Sequence, residues 1–417
     1  MKRISFIILA LIFAVVSTNA KNDKHLPDWK EGYLDIHHIS TGRGSSIFYI
    51  LPDGTRLLVD AGDLGDPSRW KHKTIAPAVP DESKRPAEWI ARYVEHFSKP
   101  LNKELYLDYA MISHFDNDHY GYLDHTAITV EGKPYKYSGM THLANLVPIR
   151  TLIDRGYPDY DYPSPEAFRK RNGKGFKNYE LFLKEREEQG LKMEKFEVGT
   201  DKQLVLKNRA EKYKTFRIMN IAASGVMWSG KGNETRSIID YDLYPQATPL
   251  NENSSSCVFR LEYGKFSYYF GGDICGSYSR KKKNYWNDVQ TPISKVIGKM
   301  DVAVADHHGF SDSMNKNLLD AMKPQSVIIP VWDYYHPQPA SMKRIMTDPF
   351  RQVYAVGMAP DNRERLAEYG RMIKPEGHIV VRIYKGGKKY QIFVLNDKSL
   401  DYEIIYQSEV FSAKGNK

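Results

Sequence analysis

Short apolar runs separated by glycine-containing turns mark the first part of the chain as rich in strands. Two such runs, 46–51 and 56–60, flank the turn Pro52-Asp53-Gly54, a pattern that is typical of a β-hairpin. Residues 86–97 then place large apolar side chains at helical spacing, and 107–113 forms another apolar run. The pattern therefore predicts a hairpin, a helix and a further strand, in that order.

The second half of the chain shows the same alternation. Apolar runs at 257–261 and 266–270 predict a second hairpin. Alternating strands and helices and a last hairpin are then expected at 302–305, 315–322, 326–331, 339–346, 378–384 and 390–395. Because each half opens with hairpins and continues with alternating elements, the pattern favours layered α/β structure over an all-β or all-helical fold.

Residues 125–250 break this pattern with many Tyr, Pro, Gly and Lys residues. Within them, a charged helical segment is expected at 179–189 and a strand at 215–223. We interpret the stretch as a long insertion in a single domain that spans 21–417, although the length also allows two domains.

The first 20 residues have the pattern of a secretory signal peptide. Lys2 and Arg3 precede an apolar run at 4–16, and small residues surround a cleavage position near Ala20. The run is too short for a membrane span of about 20 residues, and no later stretch is long and uncharged enough to replace it. We therefore expect a mature protein without a membrane span, in the periplasm or secreted; an uncleaved membrane anchor is the alternative.

Composition narrows the range of partners. The two cysteines, Cys257 and Cys275, are too few for a disulfide scaffold. The formal net charge of +9 favours anionic partners, such as a small anionic molecule or a nucleic acid. Because the lysines are dispersed along the chain, the charge by itself supports nucleic-acid binding only weakly.

Three polar clusters follow predicted strands. They are the histidines and aspartates of "ISHFDNDHYG" at 112–121, Asp273 after two glycines, and the run 306–309 with its paired histidines. Loops at one edge of a layered α/β sheet bring together side chains that are distant in sequence. Imidazole and carboxylate groups are ligands that suit zinc, manganese or iron. One cluster alone could be a polar turn or a cap, but three together predict a metal site.

These motifs resemble the metallo-β-lactamase superfamily of hydrolases, specifically the branch similar to the hydrolase domain of the DNA-uptake protein ComEC. Residues 112–121 match the His-x-His-x-Asp-His signature with Asp116 at the second histidine. The stretches 42–62, 253–273, 305–309 and 326–337 resemble the family's first hairpin, its paired strands before the bridging aspartate, and its later strand ends. The resemblance implies an α/β fold in the form of a four-layer αββα sandwich.

The resemblance also implies a ligand set for a divalent metal, zinc with manganese as the alternative. His114 and Asp116 would bind a first ion, Asp118 and His119 a second ion, and Asp273 would lie between the two. The second position would be completed by His308 or His307, of which His308 is preferred. The resemblance further implies that Asp60 supports the ligands through hydrogen bonds and that His336 serves as a proton donor or oxyanion partner; a surface histidine before a proline in a turn is the alternative for His336. In the expected mechanism, Asp118 either orients the attacking water or moves its proton.

Two departures from the family pattern affect these expectations. The superfamily supplies a further histidine to the first ion, but the interval between the opening motif and Asp273 contains only His125 and His142, while Asn253 or Ser256 lies where the branch carries polar residues. One ion or two are therefore expected. The insertion at 125–250 would lie beside the active-site edge as a lid or substrate platform, and its tyrosines and lysines could contact a nucleotide or simply pack.

The expected reaction is hydrolysis by a metal-activated water. The favoured substrate is a phosphodiester, either nucleic acid or a small phosphoester, because the branch resemblance and the basic charge both point that way. A lactone, ester or amide hydrolase of the same fold is the alternative enzyme. A noncatalytic binding protein that retains the fold is the alternative outside enzymes.

Overall fold

The computed structural model describes residues 24–70, 75–101, 104–276, 285–369, 372–373 and 375–415. The predicted signal peptide at 1–20 lies outside these residues. Within them, no helix combines the length and the apolar character that crossing a bilayer would require.

The first part of the chain builds most of one mixed sheet and the helices on its outer side. Its strands are β1 (Leu34–His38), β2 (Ile47–Ile50), β3 (Arg56–Val59), β4 (Leu107–Met111), β5 (Ile149–Asp154) and β6 (Lys192–Lys195). Its helices are α1 (Pro86–Ser98), α2 (Asn117–Tyr120), α3 (Gly139–Leu146) and α4 (Pro165–Glu188). Strands β1 to β3 pair antiparallel and β3 to β6 pair parallel, so the helices supply the crossovers that parallel pairing requires.

The middle of the chain builds the second sheet. Its strands are β7 (Phe216–Ala223), β8 (Val226–Trp228), β9 (Thr235–Ser237), β10 (Val258–Tyr263), β11 (Phe266–Phe270), β12 (Val302–Val304), β13 (Ser326–Ile329), β14 (Gln352–Ala355) and β15 (Met372–Ile373). Its helices are α5 (Gln290–Ile297), α6 (Lys316–Met322), α7 (Pro339–Ile345) and α8 (Pro360–Arg365). As in the first sheet, antiparallel strands are followed by parallel ones, which run from β11 to β15.

The last strands return to the first sheet. They are β16 (His378–Ile383), β17 (Lys389–Leu395), β18 (Ile404–Gln407) and β19 (Phe411–Ser412), and β16 pairs antiparallel with β1. The three hairpins predicted from the sequence are confirmed as β2–β3, β10–β11 and β16–β17. The helix predicted at 86–97 is confirmed as α1, which ends one residue later.

Alternation of side chains along the strands produces the layers. On β2, Ile47 and Tyr49 join the apolar cluster between the two sheets, whereas Phe48 and Ile50 join the cluster between the first sheet and its helices. A third cluster in the described chain packs the second sheet against α5, α6 and α7. The predicted four-layer αββα sandwich is therefore confirmed.

Residues 125–250, which we expected to form an insertion, contribute to both sheets. They supply β5 and β6 at one edge of the first sheet and β7 to β9 at one edge of the second. The phenols of Tyr160 and Tyr179 are buried and donate hydrogen bonds to Asp154 at 2.8 and 3.1 Å. These two tyrosines therefore pack inside the fold and are not available to stack on a nucleotide.

Candidate metal centre

The C-terminal ends of strands from both sheets meet at one edge of the sandwich and carry the polar clusters. Asp60 directly follows β3, and His114 comes three residues after β4. Asp273 comes three residues after β11, and His308 lies in a short turn after β12. Parallel strands place their carboxyl ends at the same edge, so the topology explains why residues so distant in sequence converge.

Four of the expected ligands approach one another closely. The Nε2 atom of His308 lies 2.9 Å from Oδ2 of Asp118 and 3.2 Å from Oδ2 of Asp273. The Nε2 atom of His119 lies 3.5 and 3.3 Å from the same two oxygens, and 3.2 Å from Nε2 of His308. All four side chains are buried. We call Asp118, His119, Asp273 and His308 the four-donor group.

The separations within the four-donor group are close to, and in part slightly shorter than, those around a tetrahedral divalent cation. Zinc binds imidazole nitrogen and carboxylate oxygen at about 2.0–2.2 Å, which makes the edges of its coordination tetrahedron about 3.3–3.6 Å long. The measured separations run from 2.9 to 3.5 Å. These residues therefore fit the divalent metal that the family resemblance implies.

Hydrogen bonds on the far side of each imidazole leave its Nε2 lone pair for a cation. The Nδ1 atom of His308 lies 2.9 Å from the carbonyl oxygen of Pro330, which can only accept, so Nδ1 carries the proton. The Nδ1 atom of His119 lies 2.8 Å from Oδ2 of Asp60. Partners of this kind orient the ring and increase its basicity, as they do in known metal sites.

The charges of the four-donor group call for additional positive charge. Burial would lower the pKa of His119, but the carboxylates of Asp273, Asp118 and Asp60 outweigh burial and raise it well above its ordinary value. The same balance raises the pKa of His308 to about 10. Burial would raise the pKa of Asp118 and Asp273, yet the imidazoles lower both. A divalent cation provides the same charge as two protons, so it can replace them.

Asp60 holds the ligand loop together. Its Oδ1 accepts the backbone N–H of Ser113 at 2.7 Å, and its Oδ2 accepts the Ser113 hydroxyl at 2.7 Å in addition to the ring of His119. The backbone of Asp60 has a φ of 62°, a conformation that asparagine also tolerates. Asp60 thus takes the supporting position that the resemblance implies for it.

Replacing Asp60 with Asn should weaken metal binding by about 10- to 100-fold, because the orienting negative charge beside His119 is lost while the shape is kept. Titration of metal against a competing chelator measures this affinity. Ser113→Ala is the matched milder change, since it keeps the Asp60 charge and removes only a neutral hydroxyl, which contacts Asp60, His114 and His119, and it should cost less. An Asp60→Asn protein with unaltered affinity would contradict the orienting role.

His114 and Asp116, the ligands expected for a first ion, lie beside the four-donor group. Nε2 of His114 lies 3.8 Å from Oδ2 of Asp116 and 3.8 Å from Oδ2 of Asp273. The His114 ring is fully buried, and its Nε2 has no hydrogen-bond partner among the described residues. Asp116 instead pairs through Oδ1 with the guanidinium of Arg171 on α4. Burial raises the pKa of Asp116 to about 6 despite this pairing.

The two histidines considered for the missing ligand of the first ion lie elsewhere. His125 is exposed, with its Nε2 3.5 Å from Oδ2 of Asp66. His142 is buried in α3 and stacks on Tyr137 with 5.7 Å between ring centroids. Neither belongs to the four-donor group, so neither supplies the histidine that the family pattern has in addition.

His307 does not join the four-donor group, although it is next to His308 in the sequence. Its Nδ1 lies 2.9 Å from Oδ1 of Asp312, and its Nε2 lies 3.1 Å from Nδ2 of Asn253. Burial would lower the pKa of His307, but the hydrogen bond to Asp312 outweighs it and raises the pKa. Of the two histidines that the sequence left open, the structure thus brings His308 to the cluster.

His336 covers His308 at the mouth of the site. The two rings stack with 4.6 Å between centroids and 16° between planes. Burial and the neighbouring imidazoles lower the pKa of His336 well below its ordinary value, so the ring is neutral. A cavity of about 250 Å³ opens here, lined by residues that include Asp116, Asp118, Asp273, His308 and His336.

Sequence reasoning missed three charged residues around the site. Glu252 accepts the backbone N–H of Phe115 at 2.9 Å and pairs with Arg155, whose Nε and Nη2 lie 2.8 and 2.6 Å from its two oxygens. Arg171, the third, also approaches Glu252, with its Nε 3.9 Å from Oε2. These residues come from the stretch expected to be an insertion or from its border, where no motif distinguishes them.

Comparison with known proteins gives limited matches. No family model matches the chain. The chain is 28% identical over 123 residues to Recombination protein 2 of Haemophilus influenzae (strain ATCC 51907 / DSM 11121 / KW20 / Rd), a match that covers 30% of this chain and 13% of that protein. Among solved structures, the metallo-beta-lactamase fold protein YhfI of Bacillus subtilis is 12% identical, with a TM-score of 0.35, covering 79% of this chain and 98% of that one.

Proposed function

We propose that the protein is a metal-dependent hydrolase of phosphodiesters, in nucleic acid or a small phosphoester, from the ComEC-like branch of the metallo-β-lactamase superfamily. The observation that carries this proposal is the four-donor group, whose separations suit a tetrahedral cation and whose Asp118, Asp273 and His308 line an open cavity. Four protein donors would fill a tetrahedral ion, so a reacting water would need a fifth position or the place of one donor, and the cavity beside Asp118, Asp273 and His308 provides the space for it.

The chemistry divides between the ion and the protein. A divalent cation, when bound, lowers the pKa of water from 15.7 toward about 7 and stabilises negative charge that develops on the substrate. The indole N–H of Trp332 donates to Oδ2 of Asp118 at 2.7 Å, which fixes the orientation of this carboxylate. We assign acceptance of the water's proton to the other oxygen, Oδ1 of Asp118. His336 is neutral, so it serves as a hydrogen-bond donor to a developing oxyanion.

Charge around the site supports an anionic substrate. Arg171 lies on α4 and pairs with Asp116, which lines the cavity, and the Arg171 side chain is 46% exposed. The formal net charge of +9 adds a long-range attraction for phosphates that weakens as salt increases. A neutral ester or lactone would gain little from either feature, which is why we favour the phosphodiester.

A substrate panel tests this proposal on metal-loaded protein. We expect release of nitrophenol from bis-p-nitrophenyl phosphate and shortening of single- or double-stranded DNA, with no comparable rate on a lactone, an ester or an amide. Faster carbonyl hydrolysis would replace the phosphodiester assignment with the alternative enzyme. Full metal occupancy without turnover of any compound would favour a noncatalytic binding protein instead.

We further propose that the protein acts in the periplasm or outside the cell. Lys2, Arg3 and the apolar run at 4–16 support export with cleavage near Ala20. Fractionation of expressing cells, with N-terminal sequencing of the exported form, tests this. A cytoplasmic protein that still starts at Met1 would contradict it.

A further inference from the structure

We propose that Arg171 makes the two metal positions unequal in affinity, so that the four-donor group binds one ion tightly while a second ion beside His114 binds weakly. This inference rests on the metal-binding part of the proposed function and not on the identity of the substrate. It assigns Arg171 as a positioning residue that controls how many ions the centre retains.

The two metal positions differ in the distances between their donor atoms. In the four-donor group, neighbouring ligand atoms lie 2.9–3.5 Å apart. The position beside His114 offers Nε2 of His114, Oδ2 of Asp116 and an oxygen of Asp273, with the measured separations at 3.8 Å. In the described part of the chain, three or more donor atoms lie within 4.8 Å of one another in the four-donor group and in the group Cys275, His307 and Asp312, and His114 and Asp116 belong to neither.

The guanidinium of Arg171 competes directly for this second position. It binds Oδ1 of Asp116, and its Nε lies 3.9 Å from Oε2 of Glu252. An ion bound to Asp116 would therefore share its carboxylate with a fixed positive charge, and like charges at this distance repel. A guanidinium stays protonated in proteins, so the Arg171 side chain keeps its positive charge.

The fold holds Arg171 at this place. Arg171 lies near the start of α4, in the part that precedes Gly173. Phe168, three residues before Arg171, packs its ring edge-on against Phe115, with 5.2 Å between ring centroids. Phe115 directly follows His114 in the ligand loop. Gly173 has φ 52° and ψ −131°, a conformation that essentially only glycine adopts, and it ends the regular path of the first part of the helix. The guanidinium is thus positioned by packing against the ligand loop.

Metal titration distinguishes Arg171→Met from a matched control. Arg169 lies on the same helix, is also 46% exposed and pairs with the surface residue Glu180, so Arg169→Met removes the same charge away from the centre. Cobalt(II) binding, followed by its visible absorption and by metal analysis after dialysis, counts the ions. We expect the wild type and Arg169→Met to hold one ion tightly and a second at least 100-fold more weakly. In Arg171→Met the second ion should bind at least tenfold more tightly.

Two further variants guard against a folding defect. Arg171→Lys keeps the charge and should retain the weak second site. His114→Ala, made together with Arg171→Met, should remove the second ion that Arg171→Met gained and leave the first ion bound. Two ions of similar affinity in the wild type, or an Arg171→Met titration identical to that of Arg169→Met, would overturn the inference. One tight ion without turnover of any substrate would refute the hydrolase proposal while leaving this inference intact.

Discussion

Asp273→Asn should lose its bound metal, with affinity reduced by at least about 1,000-fold and hydrolysis by a comparable factor. The Asp273 carboxylate approaches His119, His308 and His114 at 3.3, 3.2 and 3.8 Å, so a single oxygen serves the whole centre. An amide of the same shape removes half of the carboxylate charge of the four-donor group. Metal analysis after dialysis and the initial rate on the best substrate of the panel measure the two effects.

Asp320→Asn is the control for this substitution. Asp320 is an exposed aspartate on α6 that pairs with Lys316, so its replacement removes the same charge at a distance from the centre. Its metal content and activity should equal those of the wild type. An Asp273→Asn protein that is folded, as judged by circular dichroism, and still retains its metal would rule out Asp273 as a ligand.

Glu252→Gln should lower the free energy of unfolding by about 3–5 kcal/mol, because it leaves the charge of Arg155 buried without its carboxylate. Glu252 and Arg155 have side chains that are only 3% and 1% exposed, and two hydrogen bonds join them. Glu252 also accepts the N–H of Phe115, so it ties the segment before β10 to the ligand loop after β4. Urea denaturation of metal-free protein measures the loss.

A surface pair and an acid titration serve as checks on this result. Glu180→Gln breaks the exposed pair with Arg169 and should cost at most about 1 kcal/mol. Burial would raise the pKa of Glu252, but Arg155 lowers it from an ordinary 4.5 to about 2. A lowered folded-state pKa adds stability that is present above the unfolded pKa and is lost as the pH falls. The difference between wild type and Glu252→Gln should therefore shrink between about pH 4.5 and 2; a difference that persists there would contradict the ion pair as its source.

The elements predicted correctly are those whose pattern is visible locally. The hairpins β2–β3, β10–β11 and β16–β17 combine apolar runs with a glycine turn, and α1 has a regular apolar face. The sequence reasoning missed β5 and β14, which are short parallel strands without a turn signal, because neighbouring strands and covering helices decide their conformation. Within the region that looked like an insertion, the strand predicted at 215–223 is confirmed as β7, whereas β5, β6, β8 and β9 were not expected.

The residues of the site also differ in whether a local sequence pattern or distant packing determines their positions. The sequence placed Asp118, His119 and Asp273 at strand ends, and the structure brings them together. The choice between His307 and His308 could not be made locally, since both have positive φ angles, 45° and 52°, and only the surroundings decide which ring turns toward the cluster. Arg171 could not be expected at all, because its contact with Asp116 spans 55 residues and depends on the packing of α4.

Because the four donors come from both sheets, the stability of the folded protein should depend on bound metal. Asp118 and His119 follow a strand of one sheet, and Asp273 and His308 follow strands of the other. A cation bound by all four would link the two sheets. At a free concentration 1,000 times its dissociation constant, it would increase the free energy of unfolding by about 4 kcal/mol. Resistance to heat and proteases would then vary with the metal supply, and so would the amount of protein that survives.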